Sequence, residues 1–61
     1  MKMLFNYSIS IVGDDGLVEN GYGTFTFEDF IAQFDKAISL GYHVVDTFVE
    51  RYGYWVYIQK L

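Results

Sequence analysis

Tyr52-Gly53-Tyr54-Trp55-Val56-Tyr57-Ile58-Gln59-Lys60-Leu61 carries large apolar or aromatic side chains at both odd and even positions. Side chains on a strand alternate between two faces, so Tyr54, Val56 and Ile58 share one face while Trp55 and Tyr57 share the other. A strand that wants cover on both faces reads as a central strand, and this decides how the other elements are arranged around it.

Upstream, Tyr42 to Val49 is rich in Val, Thr, Phe and Tyr and reads as a strand, with Glu50-Arg51-Tyr52-Gly53 turning the chain into the last one. Thr26 to Leu40 has a helical signature. Thr26 suits the N-cap, Asp29 sits at N3 of a capping-box-like pattern, and Phe25 before the cap can pack on Phe30. Phe27, Phe30, Ile31, Phe34 and Ile38 form an apolar stripe, Glu28, Asp29, Gln33, Asp35 and Lys36 fill the remainder, and Gly41 supplies a left-handed end. Residues 3 to 12 alternate, with Met3, Phe5, Tyr7, Ile9 and Ile11 on one face and Leu4, Asn6, Ser8 and Ser10 on a mostly polar one, the pattern of a half-buried strand. Gly13-Asp14-Asp15-Gly16 is a turn, and a second strand follows over residues 17 to 25, weakened by Gly21 and Gly23.

The order is ββαββ, an α+β domain that uses residues 1–61 as one unit. A right-handed crossover through the helix makes strand 3 parallel to strand 2 and strand 4 parallel to strand 1. Two sheet orders fit, 2-1-4-3 and 2-1-3-4, and the doubly apolar last strand selects 2-1-4-3. The expected core is Tyr54, Val56 and Ile58 beneath Phe27, Phe30, Phe34 and Ile38. This element order resembles the β-grasp over the whole chain. The resemblance is one of topology and carries over no binding motif, so what it implies is a four-stranded sheet with one helix packed on one face.

Composition narrows the function classes. The chain has 61 residues, no cysteine and no proline, and thirteen Phe, Tyr or Trp residues. Without disulfides or thiolate metal sites, stability at this size must come from packing. The aromatics supply it and leave a surplus beyond what so small an interior hides, which points to an external interface or an oligomer. A formal net charge of −4 repels nucleic acid and anionic membranes and favours a neutral or basic partner. The N-terminus turns polar after three apolar residues, unlike a signal peptide, and no run reaches membrane-spanning length, so the expected location is the cytoplasm.

Chemistry-bearing constellations are sparse. His43 and Asp46 stand three apart on one strand, a spacing that places them on opposite faces and argues against a catalytic pair. Ser8 and Ser10 lie mid-strand without a base. Gly21-Tyr22-Gly23 before the helix is not a phosphate cradle, because Glu28 and Asp29 occupy the helix start where the anion would sit. The acidic turn lacks the alternating ligand spacing of a calcium loop. Lys2, Lys36, Arg51 and Lys60 are too scattered to serve an aromatic nucleic-acid platform.

No constellation of acid, base and nucleophile can be assembled from these residues, so the expectation is no enzyme and no cofactor but a small acidic protein-binding domain, acting as an inhibitor or adaptor by occupying a surface of a larger protein. In size and acidity it is similar to small inhibitors encoded by phages and mobile elements. Trp55, Tyr57, Tyr52 and Tyr22 are the expected contact residues, with Arg51 as an anchor. Two alternatives stand beside this: a homodimer assembled through strand 3, where Val44, Val45, Phe48 and Val49 offer a template, and an acidic DNA mimic built on Asp14, Asp15, Glu19, Glu28, Asp29 and Asp35.

Overall fold

A strand apolar on both faces belongs inside a sheet, and that is where the last strand lies. The computed structural model describes residues 5–21 and 25–61. The elements are β1 (Asn6–Val12), β2 (Val18–Gly21), α1 (Phe27–Ser39), β3 (Tyr42–Glu50) and β4 (Gly53–Lys60). One four-stranded sheet has the order β2-β1-β4-β3. β4 runs parallel to β1 and antiparallel to β3, and β2 is antiparallel to β1 on the outside. This is the α+β, β-grasp-like arrangement that the apolarity of β4 selects. Among the described residues, no helix is long and apolar enough to cross a membrane.

Tyr54, Val56 and Ile58 face the helix. Val56 and Ile58 are each 1% exposed and form the core with Ile9 and Phe30. Tyr7 and Tyr54 extend this core as an aromatic cluster. The Tyr7 ring lies 5.3 Å from Phe30 and 5.4 Å from Phe27, and Phe30 meets Tyr54 edge-on at 5.6 Å. Such tilted and edge-to-face pairs add about 0.5–1.5 kcal/mol each beyond area burial.

The helix boundaries follow the expected chemistry. Thr26 is extended at φ −66° and ψ 162°, and its Oγ1 accepts the Asp29 N–H at 3.2 Å. Glu28 and Asp29 stand at the positive end of the dipole. Gly41 adopts φ +93°, a conformation that a side chain would strain, and it leads directly into β3. Replacing the cap, Thr26→Ala, is expected to cost about 1 kcal/mol. A thermal melt reads this as a midpoint lower by about 4–8 °C. An unchanged midpoint would mean that the cap does not hold the helix start.

Three expectations are corrected. The helix stripe is narrower than its periodicity suggests: Phe30 is buried and Phe34 and Ala37 are half-buried against the core, whereas Phe27, Ile31 and Ile38 are exposed. A single helix touches a sheet along one line of side chains, so residues on its flanks keep solvent contact. Ser8 and Ser10 are buried, because β1 is the other central strand and large β4 side chains stand beside them. Of the second strand, Val18–Gly21 is described as β2, and Phe25 makes an antiparallel bridge to Tyr7 on the same side of β1. The β3–β4 turn is also tighter, with β3 running to Glu50 and β4 beginning at Gly53. Met3, Leu4, Tyr22 and Gly23, each assigned a place in the strands or loop from the sequence, lie outside the described residues.

Candidate functional site

The helix covers one face of the sheet, so the residues alternating to the other face define the site. Register places them in cross-strand rows. Asn6, Gly53 and Glu50 form the first, Ser8, Trp55 and Phe48 the second, Ser10, Tyr57 and Asp46 the third, and Val12, Gln59 and His43 the fourth. Directly opposed side chains on one face are contact neighbours, so the second and third rows bring Phe48, Trp55 and Tyr57 into one aromatic patch. Phe48 meets Tyr57 edge-on with centroids 6.3 Å apart. An open hollow of about 210 Å³ lies among Phe48, Glu50, Trp55 and Tyr57.

Gly53 gives Trp55 its seat. A Cβ at Gly53 would stand 2.7 Å from Trp55 Cη2 and 2.8 Å from Cζ3, so the six-membered ring of the indole rests on the glycine backbone. Trp55 is thereby half-buried through its lower surface. Gly53→Ala is expected to lift the indole, since a contact under 3 Å must be relieved. The cost is about 1–3 kcal/mol, typical of an overpacked site. Trp55 is the sole tryptophan, so its emission reports the change directly: a shift to longer wavelength with easier acrylamide quenching. Unaltered emission would place the ring elsewhere.

The relief of this face is uneven. Over β1 and β2 it is low, with Ser8, Ser10 and Gly21, and over β3 and β4 the rings rise above it. Asp46 and Glu50 set carboxylates along the β3 margin. Arg51 and Tyr52 form the tip of the β3–β4 hairpin, the guanidinium lying 5.4 Å from the Tyr52 ring centroid, and the Tyr52 carbonyl accepts the Asn6 N–H at 2.9 Å. Arg51 and Tyr52 thus occupy the turn of the hairpin whose β4 arm bears Trp55 and Tyr57. Tyr22, also nominated from the sequence, lies outside the described residues.

Phe48 belongs to the patch as well as to the outer strand's pairing edge. The signal was present: a two-residue turn at Arg51-Tyr52 pairs Glu50 with Gly53, and counting outward sets Phe48 against Trp55. His43 and Asp46 also end on the same face, opposite Gln59 and Tyr57, which corrects their expected separation. The cause is a bulge at Val45 that inserts one residue and resets the alternation. They form no dyad, since the Asp46 carboxylate accepts the Thr47 N–H at 2.8 Å and His43 Nδ1 is buried without a partner among the described residues.

The acidic groups are divided by the topology. β1 ends at the turn bearing Asp14 and Asp15, whereas α1 begins at the opposite end of the sheet with Glu28 and Asp29. The length of a strand separates them, about 20–25 Å at 3.3 Å per residue. Among the described residues, no three His, Asp or Glu groups gather as a metal site. A second cleft, about 260 Å³, lies between α1 and the sheet, with Ile11, Phe25 and Tyr42 on the sheet side and Gln33, Lys36 and Leu40 on the helix side.

No protein-family model matches the chain, and no curated protein or solved structure shows significant similarity to it.

Proposed function

We propose that this chain is a non-catalytic protein-binding domain that acts as an inhibitor or adaptor, occupying a surface of a larger protein with the helix-free face of its sheet. One observation carries the reading: Phe48, Trp55 and Tyr57 form a contiguous aromatic patch on the face opposite the helix, seated on Gly53. Aromatic side chains held rigidly at the centre of a face, with polar groups around them, are where binding energy concentrates. Asn6, Gln59, Asp46 and Glu50 supply such a rim. The net charge of −4 favours a neutral or basic counterpart.

The test is capture on immobilised protein, with Trp55→Ala as the disabled form and Ile31→Ser, on the exposed helix flank, as the matched surface control. A partner retained by the wild type and the Ile31 variant, and lost from the Trp55 variant, supports the reading. A partner retained equally by all three would remove this face from the function.

A further inference from the structure

Among the described residues, the outer strand β3 has an unpaired edge whose backbone directions follow from its turn. Arg51 and Tyr52 are the only residues between Glu50 and Gly53, so that pair is hydrogen-bonded to itself, and alternation points the backbone groups of Thr47 and Val49 away from β4. The exposed Thr47 N–H is consistent with this, since it is held at 2.8 Å by its neighbour's carboxylate, Asp46 Oδ1. Around the edge lies an exposed apolar margin. Val49 is 70% and Phe48 53% exposed, on opposite faces of the strand, with Val44 and Val45 beyond them. An edge with apolar side chains on both faces is a template for strand addition.

A second copy fits this template badly. The bulge at Val45 limits the regular part of β3 to residues 46–50. Full antiparallel overlap of that stretch with itself centres on Phe48, joins Thr47 to Val49 of the other copy, and sets Asp46 opposite Glu50 in both halves. Those are the closer, non-hydrogen-bonded positions, where opposed Cβ atoms stand about 4.5–5.5 Å apart and like charges repel. Two carboxylates two residues from a central aromatic instead complement a strand with cations at the same spacing around an apolar residue.

Building on the protein-binding reading, we infer that β3 receives an extended basic segment of the partner as a fifth, antiparallel strand, with Asp46 as its latch. The segment carries Lys or Arg opposite Glu50 and opposite Asp46, an apolar residue opposite Phe48, and β-branched residues opposite Thr47 and Val49. In the free protein the Asp46 carboxylate occupies the Thr47 donor, closing the middle of the edge. A cation opposite Asp46 draws the carboxylate outward and frees that N–H for the incoming carbonyl, so charge recognition and strand pairing act together. The added strand also extends the face bearing Phe48, Trp55 and Tyr57.

The probe is a capped peptide, Ser-Lys-Val-Leu-Thr-Lys-Ser, with a control in which both lysines are glutamates. Amide hydrogen exchange and NMR shifts are read at Thr47 and Val49, with the Trp55 indole N–H as a second reporter. The expected result is protection of the Thr47 and Val49 amides by the basic peptide, at least about tenfold weaker binding of the acidic one, and reversal of that preference in Asp46→Lys/Glu50→Lys. Val49→Pro, which removes an outward donor, is expected to abolish the protection while leaving the aromatic patch in place. Basic-peptide shifts confined to Trp55 and Tyr57, or an unreversed preference in the charge-swapped protein, would overturn the inference. So would a wild-type dimer already protected at Thr47 and Val49. Partner capture that depends on Trp55 but leaves those two amides unprotected would overturn it too, while sparing the proposed function.

Discussion

Phe30→Ala is expected to leave much of the protein unfolded at room temperature. Phe30 is the buried residue of the helix, 6% exposed, and its ring meets Tyr7, Tyr54 and Phe34 at centroid distances of 5.3, 5.6 and 6.0 Å. Removing a buried phenyl ring costs about 3–5 kcal/mol, transfer and cavity terms together. A domain of this length has about 3–9 kcal/mol in total, so one substitution consumes a large part of it. Relaxation cannot recover much, because the walls of the cavity are rigid aromatics in contact with one another. Urea unfolding followed by circular dichroism measures the loss. Ile31→Ala, one position along the helix but exposed, is expected to stay within about 0.5 kcal/mol of the wild type. Equal costs at the two positions would mean that the helix does not rest on Phe30.

The contrast between Phe30 and Ile31 shows what sequence periodicity can resolve. Helical spacing identifies a stripe including both, but only contact with a particular sheet says which edge of the stripe is covered. β4 was more legible. Its apolar residues at both parities demand two-sided cover, and in a hairpin–helix–hairpin chain that requirement is met by placing it centrally beside β1. Thr26 and Gly41 were legible because their roles are local, set by a side-chain oxygen within reach of Asp29 N and by a positive φ. The bulge at Val45 was not legible, since inserting a residue costs one irregular pair that no local motif marks. It reversed the relation between His43 and Asp46. Ser8 and Ser10 read as solvent-facing for a related reason: alternation reports polarity, whereas their burial comes from neighbours supplied by a strand far along the chain. At the site, Trp55 and Tyr57 stood out as surplus aromatics, and Phe48 was recoverable only by pairing it across the turn.

Trp55→Ala is expected to weaken partner binding by about thirtyfold or more, the consequence of losing at least 2 kcal/mol at a central aromatic anchor. The size of the effect rests on how the ring is held. With one surface on Gly53 and its cross-strand neighbours Ser8 and Phe48 on either side, the indole has little freedom left to lose on binding. The same position keeps the folding cost modest, because Trp55 contributes nothing to the core of Ile9, Phe30, Val56 and Ile58 on the other side of the sheet. Its replacement is therefore expected to preserve the cooperative unfolding transition that Phe30→Ala damages. Phe48→Ala and Tyr57→Ala are expected to weaken binding by smaller, non-additive factors, since the two rings support each other edge-on. Titration of each variant against the captured partner, paired with a urea melt of the same sample, separates the two quantities. A binding loss that tracks the stability loss across all three positions would make the patch structural. A loss at constant stability assigns these rings to recognition, because truncating a side chain that only buttresses the sheet cannot lower affinity while leaving the folded population unchanged.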